Sequence, residues 1–177
     1  ALRHGPDSWN HRPEMRRQEI ELTGQTLGII GFGGTGRAMA KRAAAFGMTC
    51  QALDRDPVPT SAEVSSIMRA DQLPKLLETS DVVAVCCPLT SETRNLLDGN
   101  AFRQMKSSAF LVNVTRGEVM DEKALVAALE TGEIRGAALD VVPREPLPAD
   151  SPLWQMPQVV MTPHTAGASQ FRADRNV

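Results

Sequence analysis

The sequence predicts an α/β domain: a doubly wound parallel sheet with helices on both faces. Three observations carry that expectation. Short apolar runs alternate along the chain with segments of helical composition. Most runs are apolar at consecutive positions rather than at every second one, as strands covered on both faces require. The polar residues with chemical capability fall just past the ends of those runs, where open parallel sheets take their ligands. Right-handed crossovers between the strands then give the doubly wound arrangement.

Each element has its own signal. Residues 1–20, with His4, Pro6, Trp9, His11 and Pro13, lack the repeating pattern and read as a connecting arm, with a short helix over Glu14–Ile20. The domain proper is expected over 21–177. Thr26–Ile30 is an uncharged, strand-length run, and it enters Gly31-Phe32-Gly33-Gly34-Thr35-Gly36. Arg37–Phe46 follows with the Ala and Met content of a helix. Thr49–Leu53 is a second strand, ending at Asp54, and Pro57–Pro59 marks a turn. Glu63–Ala70 has no decisive periodicity, and a short strand near Val64–Met68 is the reading. Asp71–Thr79 reads as a helix capped by Asp71, with Leu73, Leu76 and Leu77 as its apolar face.

Val82–Cys86 is another apolar strand, closed by Pro88. A polar loop over Thr90–Leu97 precedes a short helical turn reaching Met105, and Phe110–Asn113 is the next strand. Ala124, Leu125, Ala128 and Leu129 give Asp121–Thr131 helical spacing, with Gly132 as its stop. Gly136–Val142 reads as a strand with Asp140 at its end, followed by Pro143, Pro146, Pro148, Pro152 and Pro157. Val159–Met161 is the last strand, closed by Pro163-His164, and Ala168–Val177 starts as a helix.

Length and composition bound the function. The 177 residues suit one domain with a proper core, and 42% hydrophobic with 23% charged residues is a globular balance. A net charge of −2 gives no electrostatic reason to expect nucleic acid or an anionic membrane as partner. No apolar run approaches the ~20 residues of a membrane span. Arg3, Arg12, Arg16 and Arg17 with no apolar stretch between them do not make a secretory leader. Cys50, Cys86 and Cys87 are odd in number and lack metal-ligand spacing, so no metal site is expected. They read as reduced, buried thiols of a cytoplasmic protein, the alternative being a reactive Cys87.

The glycine triplet has a physical reading of its own. Gly31 permits the strand-to-helix turn, Gly33 lets a pyrophosphate approach the backbone, and Gly36 lets the helix lie close on the strand. Unpaired N–H groups at the start of that helix suit a phosphate. Asp54, 18 positions beyond Gly36, stands near the ~20 residues expected for a carboxylate that binds an adenosine ribose. Its charge also repels a 2′-phosphate, favouring NAD(H) over NADP(H), although the neighbouring Arg55 offsets part of that preference. The plain alternative is a glycine turn with a surface acid nearby.

Three further segments carry a family resemblance: Asn113-Val114-Thr115-Arg116-Gly117, Leu139-Asp140-Val141-Val142-Pro143-Arg144-Glu145-Pro146-Leu147, and Thr162-Pro163-His164-Thr165-Ala166-Gly167. With the glycine turn, their order and spacing resemble the NAD-dependent D-2-hydroxyacid dehydrogenases, from about Trp9 to the end of the chain. The resemblance implies the Rossmann dinucleotide-binding domain of a two-domain enzyme, without the family's smaller substrate domain. It also implies poor turnover by this chain alone.

The same resemblance distributes roles. Arg116 matches the substrate-binding arginine, whose fork suits a carboxylate better than a lysine would. His164 matches the acid/base, with an unperturbed pKa of ~6.5. Glu145 matches its carboxylate partner. The backbone of Gly34 and Thr35 is implied for pyrophosphate, and Asp54 for ribose. Cys87 and Pro88 would lie near adenosine, while Val114, Thr115, Asp140 and the segment His164, Ala166, Gly167 would surround nicotinamide.

Gly34-Thr35 departs from the larger pair common in the family, and Val142-Pro143 replaces an aromatic–acid pair. The implied partners are a small 2-hydroxy or 2-oxo acid and a second copy, as a homodimer through this domain. The rival residue readings are a turn cation for Arg116, a loop acid among prolines for Glu145 and a strand-end histidine for His164. Two other functions share the pattern. An NAD(H)-sensing corepressor keeps similar Arg, Glu and His positions, whereas an S-adenosylmethionine methyltransferase would leave those three without a purpose.

Overall fold

The computed structural model describes residues 19–167. Seven strands form one parallel sheet in the order β3-β2-β1-β4-β5-β6-β7. They are β1 (Thr26–Ile30), β2 (Thr49–Leu53), β3 (Val64–Met68), β4 (Val82–Val85), β5 (Phe110–Asn113), β6 (Gly136–Leu139) and β7 (Val159–Met161). The helices are α1 (Gly34–Ala45), α2 (Leu73–Thr79), α3 (Gly99–Gln104) and α4 (Glu122–Thr131). The chain first winds outward from β1 to β3 and then returns to place β4 on the other side of β1. That reversal opens a crevice at the carboxyl ends of β1 and β4, the usual binding place in such sheets.

Burial on both faces explains the continuous apolar strands. Leu27 and Ile29 of β1 join Ala40 and Ala43 of α1 on one face, with Cys50 and Ala52 of β2 beside them. Ile30, Val83, Val85 and Leu111 point to the other face, against Leu76, Leu77, Phe102 and Leu125 from α2, α3 and α4. Asp98 caps α3 by accepting from Ala101 N at 2.9 Å, and Asp121 caps α4 by accepting from Lys123 N at 2.9 Å. Gly132 then stops α4 in the left-handed conformation (φ 73°). At the opposite end of the sheet, Asp81 accepts from Thr26 N and from Lys106 Nζ, each at 2.8 Å.

Several boundaries correct the sequence reading. Helix α1 begins at Gly34 rather than Arg37, because the glycine turn itself already winds into the helix. Asp71 is no helix cap: it sits inside a 3₁₀ turn, Ala70–Gln72, and α2 starts beyond it with Pro74 in its first turn. The fourth strand stops at Val85 instead of Cys86. The sixth ends at Leu139 rather than continuing to Val142: Asp140 N makes the last ladder bond, to Asn113 O at 3.0 Å, and Val142 N beyond it pairs with the Glu145 side chain instead. Of the segment Glu14–Ile20, Glu19 and Ile20 are not helical. The rest of that segment and Ala168–Val177 lie outside the described residues.

Candidate functional site

The glycine turn is shaped by close approach at two of its positions. Gly31 has φ +93°, and a Cβ there would lie 2.5 Å from the backbone nitrogen of Cys87 on the neighbouring strand end. At Gly36 a Cβ would stand 2.3 Å from Gly31 O and 3.1 Å from the Ile29 side chain, so only glycine lets α1 sit this near β1. Gly33 and Gly34 differ: nothing lies within 4 Å of a Cβ at either. The turn is therefore packed behind and open in front. No side chain caps α1 and its first turn carries no acid, which leaves its amide groups and positive dipole end for an anion.

Asp54 closes this arrangement from β2. Its Oδ2 accepts from Phe32 N at 2.7 Å, and its Oδ1 accepts from Asp56 N at 3.1 Å. The carboxylate thus stands directly against the glycine turn and helps to hold it. Asp54 also lines a cleft of about 450 Å³ with Gly31, Arg55, Cys87, Pro88, Thr90 and Glu92. Cys87 and Pro88 form its far wall, from the end of β4. Burial pushes the Cys87 thiol up to about 11 and the Cys86 thiol to about 12, which disfavours a reactive thiolate at either. Cys50 is buried as well, and its thiol too is raised by burial.

A second group assembles at the ends of β5, β6 and β7. Asn113, wholly buried, donates from Nδ2 to Arg116 O at 3.0 Å and accepts from Thr115 N at 3.2 Å, fixing the turn that carries Arg116. The exposed Arg116 guanidinium donates to Thr115 O at 2.7 Å. Behind it, a Cβ on Gly117 would fall within 2.2 Å of the carbonyl of Val142, so this turn lies flat on the next one. Val142 N donates to Glu145 Oε1 at 3.2 Å, while Glu145 Oε2 meets His164 Nδ1 at 2.7 Å. Arg116, Glu145 and His164 therefore sit on three consecutive loops at one edge of the sheet. A hydrogen bond from His164 is the leading reason the Glu145 carboxyl lies below its ordinary value. Burial opposes that effect, and the Val142 amide adds to it.

Asp140 braces the turn that carries His164. Its carboxylate accepts from the Thr162 hydroxyl, from Thr165 N at 2.9 Å and from Ala166 N at 2.9 Å. Its backbone carbonyl accepts from His164 N at 2.8 Å. These bonds hold the histidine turn, in which His164 itself has φ 54°. Burial pushes the Asp140 carboxyl up, but the three donors and the nearby His164 outweigh it and keep it low. Val114 and Thr115 are half-buried in the adjoining loop, and Ala166 and Gly167 are exposed beyond the histidine. An apolar cleft of about 670 Å³ adjoins the pair, lined by Leu147, Trp154, Met161, Glu145 and His164 among others.

The site's supporting residues went unassigned in the sequence reading. Asn113 and Thr162 stand out in the sequence only as polar residues at the ends of apolar strands, a signal that fits a hydrogen-bonding role, which Asn113 plays buried and Thr162 exposed. Nothing in the sequence singled out Glu92, which meets Arg55 only across the cleft. Among the described residues, no group of three His, Cys, Asp or Glu could hold a metal ion, and no helix is long and apolar enough to cross a membrane.

A parallel sheet that reverses at an open glycine turn, with a carboxylate from β2 against that turn, defines a dinucleotide-binding domain of the Rossmann type. The chain belongs to the D-isomer specific 2-hydroxyacid dehydrogenase family, whose NAD binding domain model matches residues 3–166. It is 41% identical over 165 residues to the (S)-sulfolactate dehydrogenase of Chromohalobacter salexigens, covering 92% of this chain and 53% of that protein. With glyoxylate/hydroxypyruvate reductase B of Escherichia fergusonii it shares 47% identity over 146 residues, 82% of this chain and 45% of that one.

Among solved structures it resembles a D-isomer specific 2-hydroxyacid dehydrogenase from Xanthobacter autotrophicus Py2, in complex with NADPH and MES. The TM-score is 0.83 at 35% identity, covering 99% of this chain and 74% of the other. The chain spans about half the length of these two curated relatives. Their names are those of a dehydrogenase and a reductase and lend no support to the corepressor alternative.

Proposed function

We propose that this chain is the cofactor domain of an oxidoreductase that interconverts a 2-hydroxy acid and its 2-oxo acid, using a nicotinamide dinucleotide. The observation that carries the proposal is the 2.7 Å contact of Glu145 Oε2 with His164 Nδ1 on the same sheet edge as Arg116 and the glycine turn. Residues 21–177 form the domain in this reading, and 1–20 an arm that contributes to a homodimer of a cytoplasmic protein. Glyoxylate and hydroxypyruvate are the first substrates to test, because relatives carry their names.

The cofactor fits the residues present. The open front of Gly33 and Gly34 leaves room for a pyrophosphate beside the α1 amides, and Asp54 lines the cleft that would take the adenosine half. Bound nicotinamide would supply or accept the hydride. The chain's own residues do the rest. Arg116 binds the substrate carboxylate through its fork and draws electron density from the adjacent carbonyl. With Nδ1 engaged by Glu145, His164 has Nε2 left to hold the proton that the carbonyl oxygen receives in reduction and the hydroxyl gives up in oxidation. Glu145 fixes the ring's orientation through that contact. Asp140 and Asn113 keep the two loops in register.

Titrating the chain with NADH and following the dihydronicotinamide fluorescence tests the cofactor assignment. Saturable binding is expected, weakened about tenfold in Asp54→Ala through loss of a charged hydrogen-bond acceptor. A folded chain with no saturable signal would reject the assignment. Reduction of glyoxylate or hydroxypyruvate by the full reading frame tests the chemistry.

A further inference from the structure

The cleft beside the glycine turn is crossed by an ion pair. Arg55, the residue after Asp54, donates from Nη1 to Glu92 Oε2 at 3.1 Å and from Nη2 toward Asp56 Oδ2 at 3.4 Å. Arg55 comes from the end of β2, and Glu92 from the loop beyond β4, on the opposite wall of the same cleft. That loop is tied in place. Thr90 N donates to Thr93 Oγ1 at 2.7 Å, Glu92 N to Thr90 Oγ1 at 3.2 Å, and Thr93 Oγ1 to Pro88 O at 2.7 Å. Glu92 is thus presented by a knotted turn rather than reaching across from a loose one.

The position of this pair matters because of what Arg55 would otherwise do. A guanidinium one residue past the ribose-binding acid is well placed to receive a 2′-phosphate. Such a phosphate distinguishes NADP(H) from NAD(H), and the Xanthobacter relative was solved with NADPH. Here Asp54, Asp56 and Glu92 surround Arg55, the one cation among the described residues that line the cleft, so their charges sum to a negative rim.

We propose that Glu92 is a cofactor-selectivity residue: by engaging Arg55 across the cleft, it withholds that guanidinium from a 2′-phosphate and adds its own negative charge there. The chain therefore prefers NADH, and Asp54 alone does not account for the preference. This inference rests on the cofactor reading above.

The pair is exposed, so the effect is that of a surface interaction: modest, and sensitive to salt. Fluorescence titrations with NADH and with NADPH at low and high salt test it in wild type, Glu92→Gln, Arg55→Gln and the double variant. Glu92→Gln should improve the NADPH-to-NADH affinity ratio about three- to tenfold, mainly through tighter NADPH binding. The gain should shrink in high salt, and it should be clearly smaller when Glu92→Gln is added to Arg55→Gln, where no guanidinium remains to be released and only the charge of Glu92 is lost. An unchanged ratio in Glu92→Gln with both dinucleotides bound would overturn this inference and leave the cofactor reading intact. A gain of equal size in the Arg55→Gln background would overturn it too, because Arg55 would not be the receiving group. If a folded wild-type chain bound neither dinucleotide, both readings would fall.

Discussion

Single side chains hold two connected arrangements at the carboxyl edge of the sheet. His164 has one ring nitrogen committed to Glu145 and its main chain committed to Asp140. The two acids should therefore fail in different ways. On the proposed roles, with His164 as proton carrier and Arg116 as substrate binder, His164→Asn in the full-length protein is expected to lower kcat by about 10²–10⁴ with the smaller part of the effect in KM. Glu145→Gln should fall short of that loss, because an amide oxygen can still orient the ring but no longer carries charge. Asp140→Asn replaces an acceptor of three hydrogen bonds with a group that also donates, so it should loosen the whole turn and reduce both parameters. Steady-state rates with a 2-oxo acid and NADH separate the three outcomes.

One element, the turn from β1 into α1, shows how a cofactor cradle is also a packing joint. Its four glycines face different constraints. Gly36→Ala would drive a Cβ against Gly31 O, and with little room to relax should cost about 1–3 kcal/mol of stability and weaken NADH binding as α1 lifts from β1. Gly34→Ala meets nothing within 4 Å and occupies a helical position, so it should change stability by less than about 1 kcal/mol. Urea unfolding of both variants checks the contrast. Equal destabilisation would mean that the turn is strained throughout rather than at Gly36.

At the scale of the molecule, carboxylates below their ordinary range stand at both ends of the sheet. Asp81 at the amino end is raised by burial but lowered further by Lys106 and Thr26 N; Asp140 and Glu145 lie at the carboxyl end. A carboxyl lower in the folded than in the unfolded chain contributes stability above its unfolded value, and that contribution is lost as pH falls through the folded one. The urea midpoint should therefore hold steady near neutrality and decline once pH drops below about 4. Asp81→Asn and Asp140→Asn should each be less stable near neutrality and show a shallower acid decline. A variant with the wild-type acid slope would show that its carboxylate carries no such linkage.

Much of this was legible in the residue order because it depends on local physics. Strands buried on both faces must be continuously apolar, and a glycine turn between strand and helix must carry glycine where another backbone lies within van der Waals distance. Both constraints are written along the chain, and they specified the sheet, the cradle and Asp54 at the end of β2, whereas Arg116, Glu145 and His164 were marked by the family resemblance of the segments that carry them. Helix starts were less legible, because Gly34 and Asp71 took their conformations from the turn and from Pro74 rather than from their own propensity. Tertiary structure alone decided the pairings between distant loops. Asp140 turned out to hold the histidine turn, Asn113 to hold Arg116, and Glu92 to face Arg55 from 37 residues away. Such contacts depend on which strand ends the crossovers bring side by side, and a side chain's partner across a sheet leaves no mark in its own neighbourhood of the sequence.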